Sequence, residues 1–382
     1  MRKPRYGLGA GAIAASIILA ACQGGGAGNS TTSGSSSSAP STSSGPSSSL
    51  KIGLVTDVGT LDDKNFNQFS WEGAKKGAAD IGAPAPKSVV TTASADYAKN
   101  IKSFVDQKFD IIVTVGFALG NDTTKAAKAN PGIKFIGVDQ GVCVTEQGEP
   151  DPNFGCKGDA AKLLPNYQGL VFKEAQPGYL AGIVAGSISK SGHIAAIGGT
   201  KVVPAVANYM AGYANGAAKV NPNVKVELQY VSDQPDAKAF NDPAGGKAFA
   251  EQLLAKNKDV DVLFQVAGKT GNGVLQAACN ANIHAIGVDV DQHLSTPESA
   301  KCIVTSAEKK LTKAVSDAIK RVSEKTDKGG TVPLDITTDS IGLAPFYDFQ
   351  NLITPEIQTR IDDAMKGLKD GSVDPCKPMK CS

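Results

Sequence analysis

The chain has 382 residues, 20% of them charged, a formal net charge of +2 and seven cysteines. That length suffices for two α/β lobes with separate cores, and a charge so near zero gives a nucleic-acid partner no footing. Beyond the N-terminal segment no apolar run approaches the roughly 20 residues that a bilayer span takes.

Residues 1–22 read as an export signal, with Arg2, Lys3 and Arg5 forming a charged start before a short apolar run over 8–19. Leu19-Ala20-Ala21-Cys22 resembles the lipobox of a bacterial lipoprotein, in which Cys22 takes the lipid that anchors the protein to the outer face of the cell membrane. Loss of the three cations with this segment brings the formal charge to −1. Residues 23–50 are mostly Ser, Gly, Thr and Pro and carry no charge, which predicts a disordered tether. Its 28 residues reach roughly 30 Å as a flexible coil.

The packed chain is expected to open at Lys51. Ile52, Leu54 and Val55 predict a buried strand of a parallel sheet. Asp57, the pair Asp62-Asp63 and Asn65-Phe66-Asn67-Gln68 follow at the start of a helix, which Asp62 or Asn65 also suits as a cap. Strands are predicted over 88–92, 110–116 and 134–140, with helices over 97–107 and 117–130. After a cysteine-bearing loop, 141–164, the pattern restarts. Strands over 168–172, 193–199, 224–231, 260–267 and 284–289 alternate with helices over 178–187, 204–219, 245–256 and 271–280. A strand over 302–305, a long helix over 308–325, a strand over 341–345 and a helix over 355–367 remain. Such alternation implies right-handed βαβ units and parallel sheets. The first lobe is expected over 51–165, completed by about 291–335, and the second over 166–290, completed by about 336–382. The chain then crosses between the lobes more than once.

Six cysteines remain after Cys22 and fall into three pairs that are close in sequence. In an exported protein they predict disulfides Cys143–Cys156, Cys279–Cys302 and Cys376–Cys381. Their spacings are not those of zinc ligands, and only His193, His284 and His293 could assist, so no metal is expected.

Several strands end in a polar or glycine-rich turn: Asp57 to Gln68, Gly116-Phe117, Asp139-Gln140, Gly268 to Gly273, and Asp289 to Gln292. The carboxyl ends of parallel strands share one edge of a sheet, so these turns can face one ligand cleft. The GKTGNG turn is no Walker A motif, since Leu263 stands where the first glycine is needed. Asp57 with Asp62-Asp63 faintly resembles the calcium-holding aspartates of nucleoside hydrolases, but Val55 replaces another aspartate of that cluster. No G-x-S-x-G elbow is present and no catalytic residue or cofactor is expected.

The segment VTDVGTLDDKNFNQ with its downstream WEG is similar to the opening motif of the basic membrane protein family, the PnrA-like nucleoside-binding lipoproteins. Further matches are GVDQ ending at Gln140, YLAG at 179–182, FNDPAGGK at 240–247, QVAGKTGNGV at 265–274, IGVDVDQ at 286–292 and TSAEKK at 305–310. Together they span residues 51 to about 367. The resemblance implies a type I periplasmic-binding-protein fold, two Rossmann-like lobes joined by crossover strands. It also implies the substrate-binding subunit of an ABC importer, a monomer with permease and ATPase partners.

Carried over by motif, Phe66 and Phe240 would sandwich a purine ring, as two aromatic faces suit a flat base. Asp139 would accept from the base edge. One of Asp289 and Asp291, with Lys309 and the Gly268 turn, would hold the ribose hydroxyls. Asp57, Asp62, Asp63, Asn65, Asn67 and Phe117 would line the same pocket. The family usually has glycine where Lys269 stands, and often serine at Asn65. The alternatives are a calcium-dependent nucleoside hydrolase-like enzyme, or a surface lipoprotein that binds a sugar or other small ligand without transport.

Overall fold

Apolar runs that end in Gly, Asp or a charged residue form the strands, and runs rich in Gly and Ala form the most buried helices. A computed structural model describes residues 48–382, so the expected signal segment, Cys22 and residues 23–47 lie outside the described residues. The Ser48 N–H donates to the Ile81 carbonyl at 3.2 Å and Leu50 packs on the core, so ordered contacts begin ahead of Lys51.

The first run of elements is β1 (Ile52–Thr56), α1 (Phe66–Asp80), β2 (Lys87–Val89), α2 (Tyr97–Asp106), β3 (Ile111–Val115), α3 (Gly120–Ala129), β4 (Lys134–Val138), α4 (Ala160–Leu163) and β5 (Tyr167–Phe172). The second run begins with α5 (Ala175–Ile188), β6 (His193–Gly198), α6 (Pro204–Val220), β7 (Lys225–Tyr230), α7 (Ala237–Phe240) and α8 (Pro243–Lys256). It continues with β8 (Val262–Val266), α9 (Gly268–Asn280), β9 (His284–Asp289), α10 (Gln292–Ser295) and β10 (Ile303–Lys309). The chain closes with α11 (Leu311–Ser323), β11 (Gly330–Leu334), β12 (Ile341–Leu343) and α12 (Pro355–Asp370).

Two six-stranded sheets result, ordered β11-β5-β4-β3-β1-β2 and β12-β10-β9-β8-β6-β7. Only the pairing of β12 with β10 is antiparallel among the described strands. The expected α/β class holds, but two lobe boundaries move. β5 was expected to open the second lobe, yet it pairs with β4 and extends the first sheet. Residues from 291 were expected to return to the first lobe, yet β10 pairs with β9 in the second. Each parallel sheet takes one more strand before the chain leaves it, because an apolar strand beside a buried neighbour gains a full ladder of hydrogen bonds. The crossovers therefore follow Phe172, Lys309 and Leu334.

β10 also runs four residues past the expected strand and takes Glu308 and Lys309 out of the expected helix, which starts at Leu311. β11 was not expected. It is an edge strand containing Pro333, and proline is tolerated at such an edge.

Helices α5 and α6 meet backbone to backbone. A Cβ at Gly182 would stand 2.1 Å from the Tyr213 carbonyl oxygen, and one at Gly216 2.0 Å from that of Tyr179. Alanine in either place would drive the pair apart, which accounts for the small-residue run in α5. Helix α11 returns to pack on α1 in the first lobe, and α12 packs on α5 in the second. The three expected disulfides are formed. Cys279–Cys302 ties α9 to the start of β10 across 23 residues, a loop whose closure stabilises by about 3 kcal/mol on a chain-entropy basis. No described helix is long and apolar enough to cross a membrane.

Candidate functional site

The first lobe offers its strand ends as one wall. Asp57 follows β1, and its carboxylate accepts from the Val58 N–H at 2.6 Å and the Ala118 N–H at 3.2 Å. It lies against Gly116, which has φ +110 and where a Cβ would stand 2.0 Å from Asp57 Oδ2. Only glycine allows both that backbone and that approach. Burial pushes the Asp57 pKa up to about 7, outweighing the two amide bonds that favour the carboxylate.

Asp63, not Asp62, caps α1. Its Oδ1 accepts from the Asn65 and Gln68 N–H groups at 2.9 and 3.0 Å, and its Oδ2 from Asn67 at 2.9 Å. This carboxylate satisfies three orphan amides and fixes the first turn, which presents Phe66 and Asn67. Phe117 stands in the turn after β3, and Asp139 follows β4 with φ +57.

The second lobe supplies the facing wall. Tyr209 comes from α6, Phe240 ends α7, Gly268 opens α9 at φ +52, Asp289 ends β9 at φ +64 and Lys309 ends β10. Gly199 leaves room for the Phe240 ring, since a Cβ there would lie 2.4 Å from Cε1. Val203, Val206 and Val266 complete an apolar floor.

These walls line one cleft between the two sheets. Of the residues singled out in the sequence, Asp57, Asp63, Phe66, Asn67, Phe117, Asp139, Phe240, Gly268, Asp289 and Lys309 line it.

Lys309 is the electrostatic centre. It is 3% exposed, and its Nζ lies 2.6 Å from Asp139 Oδ2, 3.3 Å from Glu174 Oε1 and 3.8 Å from Asp289 Oδ1. The rings of Phe66, Phe172 and Tyr209 surround the ammonium at 5.3, 5.3 and 5.6 Å. Burial opposes its charge, but the three acids outweigh burial and hold its pKa above the usual lysine value. One cation cannot offset three buried anions. Burial accordingly pushes Glu174 up to about 7 and Asp289 up to about 6, against the pull of Lys309. Asp139 Oδ1 is buried with no hydrogen-bond partner among the described residues. Tyr209 donates to the Ala307 carbonyl at 3.1 Å.

Three expected residues stand outside the cavity wall. Asp62 is largely exposed and receives a bond from Lys269. Asn65 is fully buried at the start of α1, and neither polar atom of its side chain has a partner among the described residues. Asp291 accepts from the Tyr347 hydroxyl and faces a separate groove with Glu308. Of these two aspartates, Asp289 lines the cavity and Asp291 does not.

Sequence reasoning passed over Tyr209 and Glu174. Tyr209 sits in an apolar helix and carries no local signal. Glu174 had a weak one, an acid two residues past a buried strand, behind Lys173.

A seam joins the lobes beside the cavity. Lys269 Nζ donates to Thr60 Oγ1 and Asp62 Oδ1, both at 3.0 Å, and Asn272 Nδ2 to the Asp63 carbonyl at 3.0 Å. Ser295 Oγ donates to the Lys64 carbonyl at 2.9 Å, and Lys64 Nζ to Glu298 at 2.9 Å.

A family model described as Bmp, ABC transporter substrate-binding protein PnrA-like, matches residues 50–369. The chain is 27% identical over 391 residues to the ABC transporter nucleoside-binding protein BmpA of Lactococcus lactis subsp. cremoris, covering 98% of this chain and 99% of that one. It is 29% identical over 345 residues to the CD4+ T-cell-stimulating antigen of Listeria monocytogenes, covering 86% and 88%. Among solved structures, an ABC transporter solute-binding protein from Aeropyrum pernix K1 superposes with a TM-score of 0.71 at 22% identity, over 85% of this chain and 92% of that one. That likeness speaks for the fold alone.

Proposed function

Because the chain belongs to the Bmp family of PnrA-like ABC transporter substrate-binding proteins, we propose that its interlobe cavity takes a purine nucleoside and that closure of the lobes presents it to a membrane permease. The observation that carries this reading is one cavity holding a phenylalanine from each lobe together with a buried lysine and its carboxylates. Phe66 and Phe240 offer apolar faces to a flat base. The free Oδ1 of Asp139 accepts from a base N–H, while Asp289 accepts from adjacent ribose hydroxyls. Burial makes each such bond count, since a polar atom left unpaired here costs about 1–3 kcal/mol. Neither lobe can cover both faces of a ligand, so binding goes with hinge closure.

The reading is that of a receptor and not of an enzyme. For a hydrolase, Asp57, Asp62 and Asp63 would have to converge on one calcium ion. Asp63 instead serves three backbone amides and Asp62 faces outward to Lys269, which disperses the donor set. The nucleoside-binding name of the Lactococcus relative favours the same ligand class. In this proposal Cys22 carries the lipid and the serine-rich chain between it and Ser48 holds a monomeric domain off the outer face of the membrane, beside a permease and its ATPase.

Calorimetry on the chain without residues 1–22 tests it, with inosine, guanosine, adenosine, cytidine and ribose. Saturable binding of the purine nucleosides without release of free base is the expected result. Release of base would make the protein a hydrolase, and no binding of any of the five would end the nucleoside reading. The anchor is tested separately: label from a fatty-acid analogue should be lost in Cys22→Ser.

A further inference from the structure

Of the three acids around Lys309, two line the cavity and the third does not. Glu174 stands outside the cavity wall, where the chain leaves β5 to enter the second lobe. It is 3% exposed, and Lys309 is its only salt-bridge partner among the described residues. It also opens the 14-residue helix α5, whose N-terminal end favours an anion.

The pair occupies two of the connections between the lobes: Glu174 begins the second lobe after the first crossover, and Lys309 precedes the next. Asp139 has a different position, in a turn of the first lobe beyond β4. When two lobes part about crossover strands, groups at the crossovers keep their spacing while groups farther out separate. Opening therefore removes Asp139 from Lys309 and leaves Glu174 beside it.

We propose that Glu174 is a positioning residue that holds the Lys309 ammonium at the root of the cleft through opening and closing, so that Asp139 is free to pass between the cation and the ligand. The proposal rests on the nucleoside reading for the choice of probe only.

A proton balance follows from the crowding. With the lobes together Glu174 shares its cation with Asp139, and burial raises its pKa to about 7. With the lobes apart it has Lys309 to itself and more water, so it stays ionised. Closure on a ligand then takes up part of a proton near pH 7. The titratable groups facing Glu174 are Lys309 on β10, Asp139 beyond β4 and Tyr209 on α6, whose hydroxyl burial keeps protonated, with Asp289 across the ammonium. Burial also raises Asp57 to about 7, with its amide bonds opposing the rise and Asp139 adding to it. A Glu174 variant separates the two.

The test is inosine calorimetry at pH 6, 7 and 8 in buffers of different ionisation heat, on the unaltered protein, Glu174→Gln and Glu174→Asp. The unaltered protein should take up part of a proton per inosine at pH 7. Glu174→Gln should bind about tenfold more weakly and lose most of that uptake, and Glu174→Asp, which keeps the charge, should recover part of both. Equal affinity and equal uptake in Glu174→Gln would overturn the proposal. Should that variant fail to fold, the absence of any uptake by the unaltered protein would do the same.

If the unaltered protein binds no nucleoside, the functional reading fails, and Glu174 is judged on the free protein. With the lobes apart Glu174 is ionised beside Lys309, so Glu174→Gln should lower the melting temperature at pH 7 and Glu174→Asp should recover part of the loss. An unchanged melting temperature in Glu174→Gln would overturn the proposal.

Discussion

The two lobes build their key turns alike and use them differently. In each, a Gly-Val-Asp triplet ends a central strand, at 137–139 in β4 and 287–289 in β9, and the aspartate takes left-handed backbone. In each, a buried glutamine packs over the glycine. A Cβ at Gly137 would meet Gln140 Oε1 at 2.4 Å, and one at Gly287 would meet Gln292 Oε1 at 2.9 Å. Gln140 directly follows its aspartate and is held by the Tyr167 hydroxyl at 2.6 Å. Gln292 follows its aspartate after two intervening residues and accepts from the Val288 N–H at 3.0 Å. Those two extra residues make room for a second acid, Asp291, outside the cavity. The lobes also differ in charge. The first brings Asp57, Asp63 and Asp139 to the cavity, while the second brings Asp289 and the one cation. Closing them is thus partly a neutralisation, which only the second lobe's lysine makes possible.

That asymmetry is broken most severely at Lys309. Lys309→Met leaves three buried carboxylates without their cation, and removing one partner of a buried ion pair costs about 3–5 kcal/mol. Denaturant unfolding should show a loss of that size, and nucleoside binding should vanish. A loss below 1 kcal/mol would mean that Lys309 does not hold the lobes' acids together. Next comes the pair of acids in the second lobe. Asp289→Asn should weaken nucleoside binding by at least tenfold, about 1.4 kcal/mol, and Asp291→Asn by less than twofold. The reverse order would reassign the site. Phe66→Ala should cost at least tenfold as well, since it strips one lobe of its aromatic face.

The same comparison has a pH counterpart. Burial raises Asp289 to about 6, above its ordinary 3.8. The sign is that of a destabilised anion: in the free protein this group adds stability below about pH 4 and gives it up as pH rises through 6. Binding runs the other way, because only the ionised carboxylate accepts from two hydroxyls. Affinity for a nucleoside should fall as pH drops below 6, and Asp289→Asn should remove that fall. An unchanged fall in the variant would place the titration elsewhere.

How far the sequence could lead is visible in these residues. The strand ends were legible because buried aliphatic runs stop abruptly at polar residues, which is how Asp57, Asp139 and Asp289 were found. The two lobes were legible from strand–helix alternation. The crossover points were not, since nothing in the composition of β5 or β10 says which sheet they join, and pairing partners are a tertiary choice. Lys309 was expected in a helix. Helical spacing of apolar residues in α11 is strong enough to extend backward over a strand end that alternates only briefly. Tyr209 was silent because an aromatic residue in an apolar helix looks the same whether it faces a core or a ligand. Asp63 rather than Asp62 as the cap was decided by a turn geometry that adjacent identical residues cannot reveal.

The smallest effect expected lies at the seam. Lys269 ties the second lobe to Thr60 and Asp62, but the Asp62 side chain is 83% exposed, so the pair contributes about 0.2–1 kcal/mol. That energy exists only with the lobes together, so it should appear in release and not in the stability of either lobe. Lys269→Ala should speed nucleoside dissociation by up to about fivefold in stopped-flow measurements and leave association nearly unchanged. Asp62→Ala should do much the same, and the two together little more, because each removes the same contact. Salt offers the independent control: raising it from 0.1 to 1 M shrinks the screening length from about 10 to about 3 Å. The unaltered protein should then release its ligand faster, toward the rate of Lys269→Ala, while the variant changes little. If the two respond to salt equally, the seam is a consequence of closure and does not regulate it.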